Sequence, residues 1–152
     1  FVDTSRKGFI TALEVSAFSM VALTKAALPL LKNPSSVMTM TYNGSQRVMP
    51  NYNVMGVAKA ALESSVRYLA NDLGARGIRV NSVSPGPLRT LSSSGISGFK
   101  SILSHVEAAS PLKRNITTQE VAKTCVFLAS NAASGITGQN IFVDAGHQIM
   151  GL

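Results

Sequence analysis

Between Lys7 and Lys32, apolar residues recur at Phe9, Ile10, Leu13, Ala17, Val21, Ala22 and Leu28, and Pro29 crowds the end of the run. That spacing repeats on one helical face and predicts a long, largely buried helix over 7–32. The pattern then changes. SVMTMTY, 36–42, is short, apolar and β-branched, and is bounded by Asn33 and Pro34 before it and Asn43 and Gly44 after it, so it predicts a buried strand. Past a loop containing Pro50, a second helical stripe runs through Val54, Ala58, Ala61, Leu62, Ser65, Val66, Leu69 and Leu73, with Gly74 placed to end it in a left-handed cap. IRVNSVS, 78–84, predicts a second strand and feeds PGPLRTLSSSGISG, where Pro, Ser and Gly suppress regular structure and predict a mobile loop. Thr117 and Glu120 have capping-box spacing ahead of an apolar helix over 121–129, and NIFVDAG, 140–146, predicts a last short strand.

Strands separated by long helices pair in parallel through right-handed crossovers, with helices on both faces of one sheet. The predicted fold class is therefore α/β, doubly wound, although three strands are few for an open parallel sheet. Ligands in such sheets bind beyond the carboxyl ends of the strands. The loops after Tyr42 and after Ser84 both leave from those ends, and are expected to share one cleft.

Composition narrows this picture. The chain has 152 residues, 45% of them hydrophobic, enough for one domain with a real core. No contiguous apolar run approaches the roughly 18 residues that span a bilayer, and no leader-like segment opens the sequence, so a cytoplasmic protein without a membrane role is expected. Fourteen Lys and Arg against seven Asp and Glu give a net charge of +7, which favours an acidic partner. Arg6–Lys7 and Lys113–Arg114 are the only adjacent basic pairs, and no basic stripe is interleaved with aromatics, which argues against nucleic acid. The single cysteine, Cys125, lies in the apolar run VAKTCVFLA and reads as a buried, inert thiol.

Candidate chemistry centres on TYNGSQRVMPNYNVMGVAK, 41–59, where Tyr42 precedes Tyr52 by ten residues and Lys59 follows it by seven. If helical geometry holds from Tyr52 onward, seven steps of about 100° return Lys59 to within roughly 20° of Tyr52, about 10 Å further along. A phenol with an ammonium nearby suits a reaction that builds negative charge on a carbonyl oxygen. The same spacing also fits a packed tyrosine and a snorkelling lysine. Downstream, Pro85, Gly86 and Pro87 make a rigid turn that can present backbone groups to a flat amide-bearing ring, with Thr90 in reach of a phosphate. The Gly- and Ser-rich segment beyond it is a candidate lid.

NYNVMGVAKAALE, GIRVNSVSPGPLRTLSSSGI and ITGQNIFVDAG resemble the short-chain dehydrogenase/reductases, and within them the bacterial NADH-dependent enoyl-acyl carrier protein reductases. Most of the superfamily carries its catalytic tyrosine four residues before the lysine. That position here is Met55, whereas a Tyr-x6-Lys spacing with a second tyrosine ten residues upstream marks the enoyl reductases. The resemblance implies a Rossmann-like fold, with residues 1–152 as its C-terminal portion including the substrate-binding loop. It implies that Tyr52 hydrogen-bonds the thioester carbonyl of a trans-2-enoyl chain and that Lys59 binds the nicotinamide ribose. Tyr42 would line the pocket beside the thioester. Pro87 and Leu88 would meet the nicotinamide, Leu88 through its backbone, with Thr90, Leu91 and Ser92 along the pyrophosphate. Met55, Ile96, Phe99 and Ile102 would form the acyl pocket, and the acidic carrier protein would meet Lys100 and Arg47. A homotetramer built through the two long helices, using Ala58, Ala60, Ala61, Ser64 and Ser65 for close packing, is implied as well.

Two features depart from that pattern. No G-x-G-x-x-G or comparable glycine cluster occurs, so the turn that cradles a dinucleotide pyrophosphate is not among these residues. With the opening at Phe1, this implies that the dinucleotide-binding half is missing; 152 residues alone would then bind NADH weakly or not at all. DAG at 144–146 replaces the family's usual DGG. A ketone or alcohol oxidoreductase of the same superfamily and a non-catalytic interaction module remain the alternatives.

Overall fold

The computed structural model describes residues 1–90, 93 and 98–151. It begins with α1 (Arg6–Leu13), which passes through a single widened π-helical turn, Glu14–Phe18, into α2 (Ser19–Ala27). Strand β1 (Ser35–Met40) follows, then α3 (Val54–Gly74), β2 (Ile78–Pro85), α4 (Phe99–Ala109), α5 (Thr118–Ala129) and β3 (Asn140–Val143). The three strands form one parallel sheet in the order β1-β2-β3, with Met40 opposite Val83 and Pro85 opposite Val143. The predicted α/β arrangement is present.

Alternation along β2 divides the core between the two faces. Ile78 and Val80 pack with Ala17, Met20, Leu62, Val66, Ala70 and Leu73, which seals the α1–α2 helix and α3 onto one face. On the other face Val83 packs with Val121 and Leu128 of α5 and with Ala133. Asn81 is fully buried on this central strand, and its amide is satisfied by the 136–139 loop, donating to the Ile136 carbonyl (2.9 Å) and accepting from the Gln139 N–H (3.0 Å). Helix α5 starts where Thr117 and Glu120 close the predicted capping box.

Several expectations fail at the sheet's edge. The first helix is not largely buried: only Ala17, Met20 and Thr24 are, while Ile10, Val15, Phe18 and Leu23 are all more than half exposed. Its apolar residues run round the helix, and the sheet and α3 cover only one side. Counted as a whole helix, Arg6–Ala27 is also long and apolar enough to cross a membrane, with a mean hydropathy of 1.4 over eighteen residues, contrary to the contiguous-run reading. β1 is a half-buried edge strand and not a fully buried one. Gly74 stays helical, and the left-handed residue that turns the chain into β2 is Gly77 (φ 70°). Cys125, on α5, is only half-buried, at the border of the Val83–Val121–Leu128 cluster.

Candidate active site

The cluster at the carboxyl end of β1 is built by two turns that pack against each other. Thr41 continues beside β2, its N–H donating to the Val83 carbonyl (2.9 Å), and Tyr42 is extended before the tight turn Asn43–Ser45. The returning chain reaches Tyr52 between two residues of positive φ, Asn51 (63°) and Asn53 (44°). Asparagine tolerates such φ values better than most side chains. Asn53 also has ψ −121°, outside the left-handed helical well, so α3 starts only at Val54. Tyr52 therefore precedes the helix, and the helical phase expected between it and Lys59 does not apply. The turn instead brings the Tyr52 ring onto Tyr42, edge-to-face, with centroids 5.1 Å apart.

Two glycines allow this approach. A Cβ on Gly44 would lie 2.5 Å from the Tyr52 ring, and one on Gly56, in the first turn of α3, would lie 2.6 Å from the Gly44 carbonyl oxygen. Both distances are impossible for real side chains.

Burial, and then the neighbouring Tyr42, push the Tyr52 hydroxyl up to about 12; burial also raises Tyr42. Both phenols are consequently neutral hydrogen-bond donors across the physiological range. Lys59 donates from Nζ to the Met40 carbonyl (2.9 Å), and burial lowers its pKa while the carboxylate of Glu63 opposes that shift. Glu63, which sequence reasoning missed, is buried and accepts from Thr41 Oγ1 (2.6 Å) and Ser45 Oγ (2.5 Å) on one oxygen and from Gln46 Nε2 (3.5 Å) on the other. Its position four residues after Lys59 was the available signal.

The remaining candidates are more dispersed. Lys59 lines a groove of about 380 Å³ between β1 and the α1–α2 helix, whereas Pro87 and Leu88 line a second, of about 380 Å³, with Arg89, Leu103 and Asn115–Gln119. Lys59 and the Pro87–Leu88 turn thus border different grooves, and neither lining includes Tyr42 or Tyr52. Thr90 and Ser93 bond reciprocally, the Thr90 N–H to Ser93 Oγ (2.7 Å) and the Ser93 N–H to Thr90 Oγ1 (3.1 Å). Met55 meets the Ser16 hydroxyl through its sulfur (3.9 Å), while Phe99 and Ile102 are half-buried on α4. Leu91, Ser92 and Ile96, and with them most of the candidate lid, lie outside the described residues. Lys100 is exposed, and Arg47 is exposed and donates to the Met150 carbonyl.

A helix-flanked parallel sheet with its polar cluster beyond the strands' carboxyl ends defines a Rossmann-like α/β protein. The family model described as enoyl-(acyl carrier protein) reductase matches residues 1–148, and the chain belongs to that family. An enoyl-acyl-carrier-protein reductase (NADH) of Nostoc sp. is 56% identical over 152 residues, all of this chain and 59% of the relative. The one from Bacillus cereus is 54% identical over 99% of this chain and 59% of its own. Among solved structures, the Bacillus cereus reductase with NADP+ and indole naphthyridinone superposes with a TM-score of 0.97 at 54% identity, over 99% of this chain and 59% of that one. The Anaplasma phagocytophilum reductase in complex with NAD gives 0.94 at 47% identity, over 99% and 58%. The chain thus spans about three fifths of the length of the relatives it matches.

Proposed function

We propose that residues 1–152 form a single domain, the catalytic and substrate-binding portion of an NADH-dependent reductase that saturates the trans-2 double bond of enoyl-acyl carrier protein thioesters. The observation that carries this reading is the Tyr42–Tyr52 pair beyond β1, with the Tyr52 hydroxyl partly buried and held neutral. A neutral phenol donates a hydrogen bond to the thioester oxygen, and that bond strengthens as the oxygen becomes an enolate. Tyr42 fixes the Tyr52 ring and borders the thioester.

The donor set suits the nicotinamide end of the cofactor. Lys59 offers an ammonium at the strand ends, and Ser84, buried at the end of β2, has a hydroxyl with no hydrogen-bond partner among the described residues. Lys59 would hold the ribose hydroxyls, and Pro87 and Leu88 the carboxamide, with Thr90, Leu91 and Ser92 toward the pyrophosphate. Bound there, the cofactor supplies hydride to the β-carbon of the substrate. Met55, Ile96, Phe99 and Ile102 would surround the acyl chain, and the exposed cations Arg47 and Lys100 would face the acidic carrier protein. The uncovered apolar side of α1–α2, at Ile10, Val15, Phe18 and Leu23, would be closed by further copies in a homotetramer and not by a membrane, with the protein in the cytoplasm.

Replacing Tyr52 with Phe in the complete protein tests the reading. Reduction of a crotonyl thioester by NADH should fall by about a hundredfold or more with the melting temperature retained. Unchanged turnover, or turnover of 3-oxoacyl thioesters in place of 2-enoyl ones, would overturn it.

A further inference from the structure

Helix α3 carries one acid on its buried side, and that acid reaches across to the turn that holds Tyr42. Glu63 is 7% exposed and lies one helical turn beyond Lys59. Its carboxylate takes hydroxyl hydrogens from Thr41 and Ser45 and an amide hydrogen from Gln46, three residues that bracket Tyr42 on both sides. Lys59 grips the adjacent position, Met40, from the same helix. A buried carboxylate is costly unless its lone pairs are filled, and here the filling groups all come from a single turn. Any displacement of the 41–46 segment would strip Glu63 of donors, so the network resists movement of that segment.

We propose that Glu63 is a positioning residue that locks the 41–46 turn to α3 and thereby holds Tyr42 against Tyr52 for the reaction proposed above. It touches neither Tyr ring in the network described; it acts through Thr41, Ser45 and Gln46. The role is specific to this residue because the other buried side chains of α3, Ala58, Leu62, Val66, Ala70 and Leu73, are apolar and cannot bond the turn.

The inference rests on the enoyl-reductase reading only for its effect on turnover, and the experiment separates the two. In the complete protein, Glu63→Gln keeps the shape and removes the charge, Thr41→Val removes one donor, and Val66→Ala loosens the same helix without touching the turn. Backbone hydrogen exchange is measured first. Exchange over 41–47 should rise in Glu63→Gln and in Thr41→Val, and should not rise there in Val66→Ala. Crotonyl-thioester kcat should fall roughly ten- to a hundredfold in Glu63→Gln, with a smaller change in KM, and the double variant should lose little more than Glu63→Gln alone. Unchanged exchange over 41–47 in Glu63→Gln, or an equal rise in Val66→Ala, overturns the proposal, as does unchanged kcat in an active parent. If the parent itself does not reduce the thioester, the activity reading fails and the exchange comparison alone decides whether Glu63 locks the turn.

Discussion

Tyr42 and Tyr52, ten residues apart in sequence, meet edge-to-face at 5.1 Å with their ring planes at 67°. Pairs of this geometry contribute about 1 kcal/mol beyond their buried area. Tyr42→Phe keeps the ring and should leave stability within about 0.5 kcal/mol, while Tyr42→Ala should cost roughly 2 kcal/mol in urea unfolding, because these rings are only partly buried. Burial, and then the neighbouring Tyr42, also sets the ionisation of Tyr52. With Tyr52 raised to about 12, the ultraviolet phenolate signal that disappears in a Tyr52→Phe variant should have its midpoint near that value. The neutral phenol is the form the fold prefers, so this contribution to stability is complete below the ordinary value of 10.0 and is lost as pH rises through about 12. A lost signal centred at the ordinary tyrosine value would contradict the burial described here.

At the first turn of α3, Gly56 faces the Gly44 carbonyl so closely that an alanine Cβ would sit 2.6 Å from it. Alanine is the better helix former by about 1 kcal/mol, yet the overlap is with backbone and cannot be relieved by turning a side chain. Gly56→Ala should therefore destabilise by about 1–3 kcal/mol and lower activity by shifting the two turns apart. At Gly74, the other end of the same helix, an added methyl group would meet nothing within 4 Å, and Gly74→Ala should stabilise by about 0.5–1 kcal/mol. Thermal melts of the two variants, moving in opposite directions, check the contrast.

The closing DAG turn holds a similar opportunity. Ala145 lies at φ 58°, followed by Gly146 at 83°, and the Asp144 carboxylate fixes both by accepting from the N–H groups of Gly146 (3.0 Å) and Gln148 (2.7 Å). A left-handed alanine costs about 1–2 kcal/mol, of which glycine's extra chain entropy returns roughly half. Ala145→Gly should raise stability by about 0.5–1 kcal/mol, measured as an increased urea midpoint. The sequence showed the alanine as a departure from the family's DGG, but only the backbone dihedral shows that it is strained.

That contrast runs through the molecule. Periodicity placed every strand and the α3 and α5 helices to within a few residues, since β2 is buried on both faces and α3 has a clean apolar stripe. It misjudged α1–α2, because apolar spacing reports which residues avoid water and says nothing about whether a partner is present to cover them. The spacing of Tyr42, Tyr52 and Lys59 drew attention to the right segment for a geometric reason that does not hold, since Asn51 and Asn53 break the backbone on either side of Tyr52. Positive φ at asparagine has no periodic signature. Glu63 escaped for a related reason: an acid in a helix reads as solvent-facing until its three donors are seen.

The start of α5 offers a pH test remote from the candidate site. Glu120 receives a two-pronged ion pair from Arg114, at 2.6 and 3.0 Å, and accepts from the Thr117 N–H (2.8 Å) to close the capping box. The hydrogen bond from Arg114, then the backbone bond from Thr117, draws the carboxyl down from 4.5 to about 2. A carboxyl with a lowered folded value stabilises fully above its unfolded value, and that contribution is lost as pH falls through about 2. Glu120→Gln should therefore melt below the parent at neutral pH, and the gap should narrow steadily below about pH 4.5 and close near pH 2. Because the pair is exposed, raising salt toward about 1 M at neutral pH should also shrink the gap. A gap that does not change between neutral and acid pH would show that the carboxylate's charge contributes nothing to the cap.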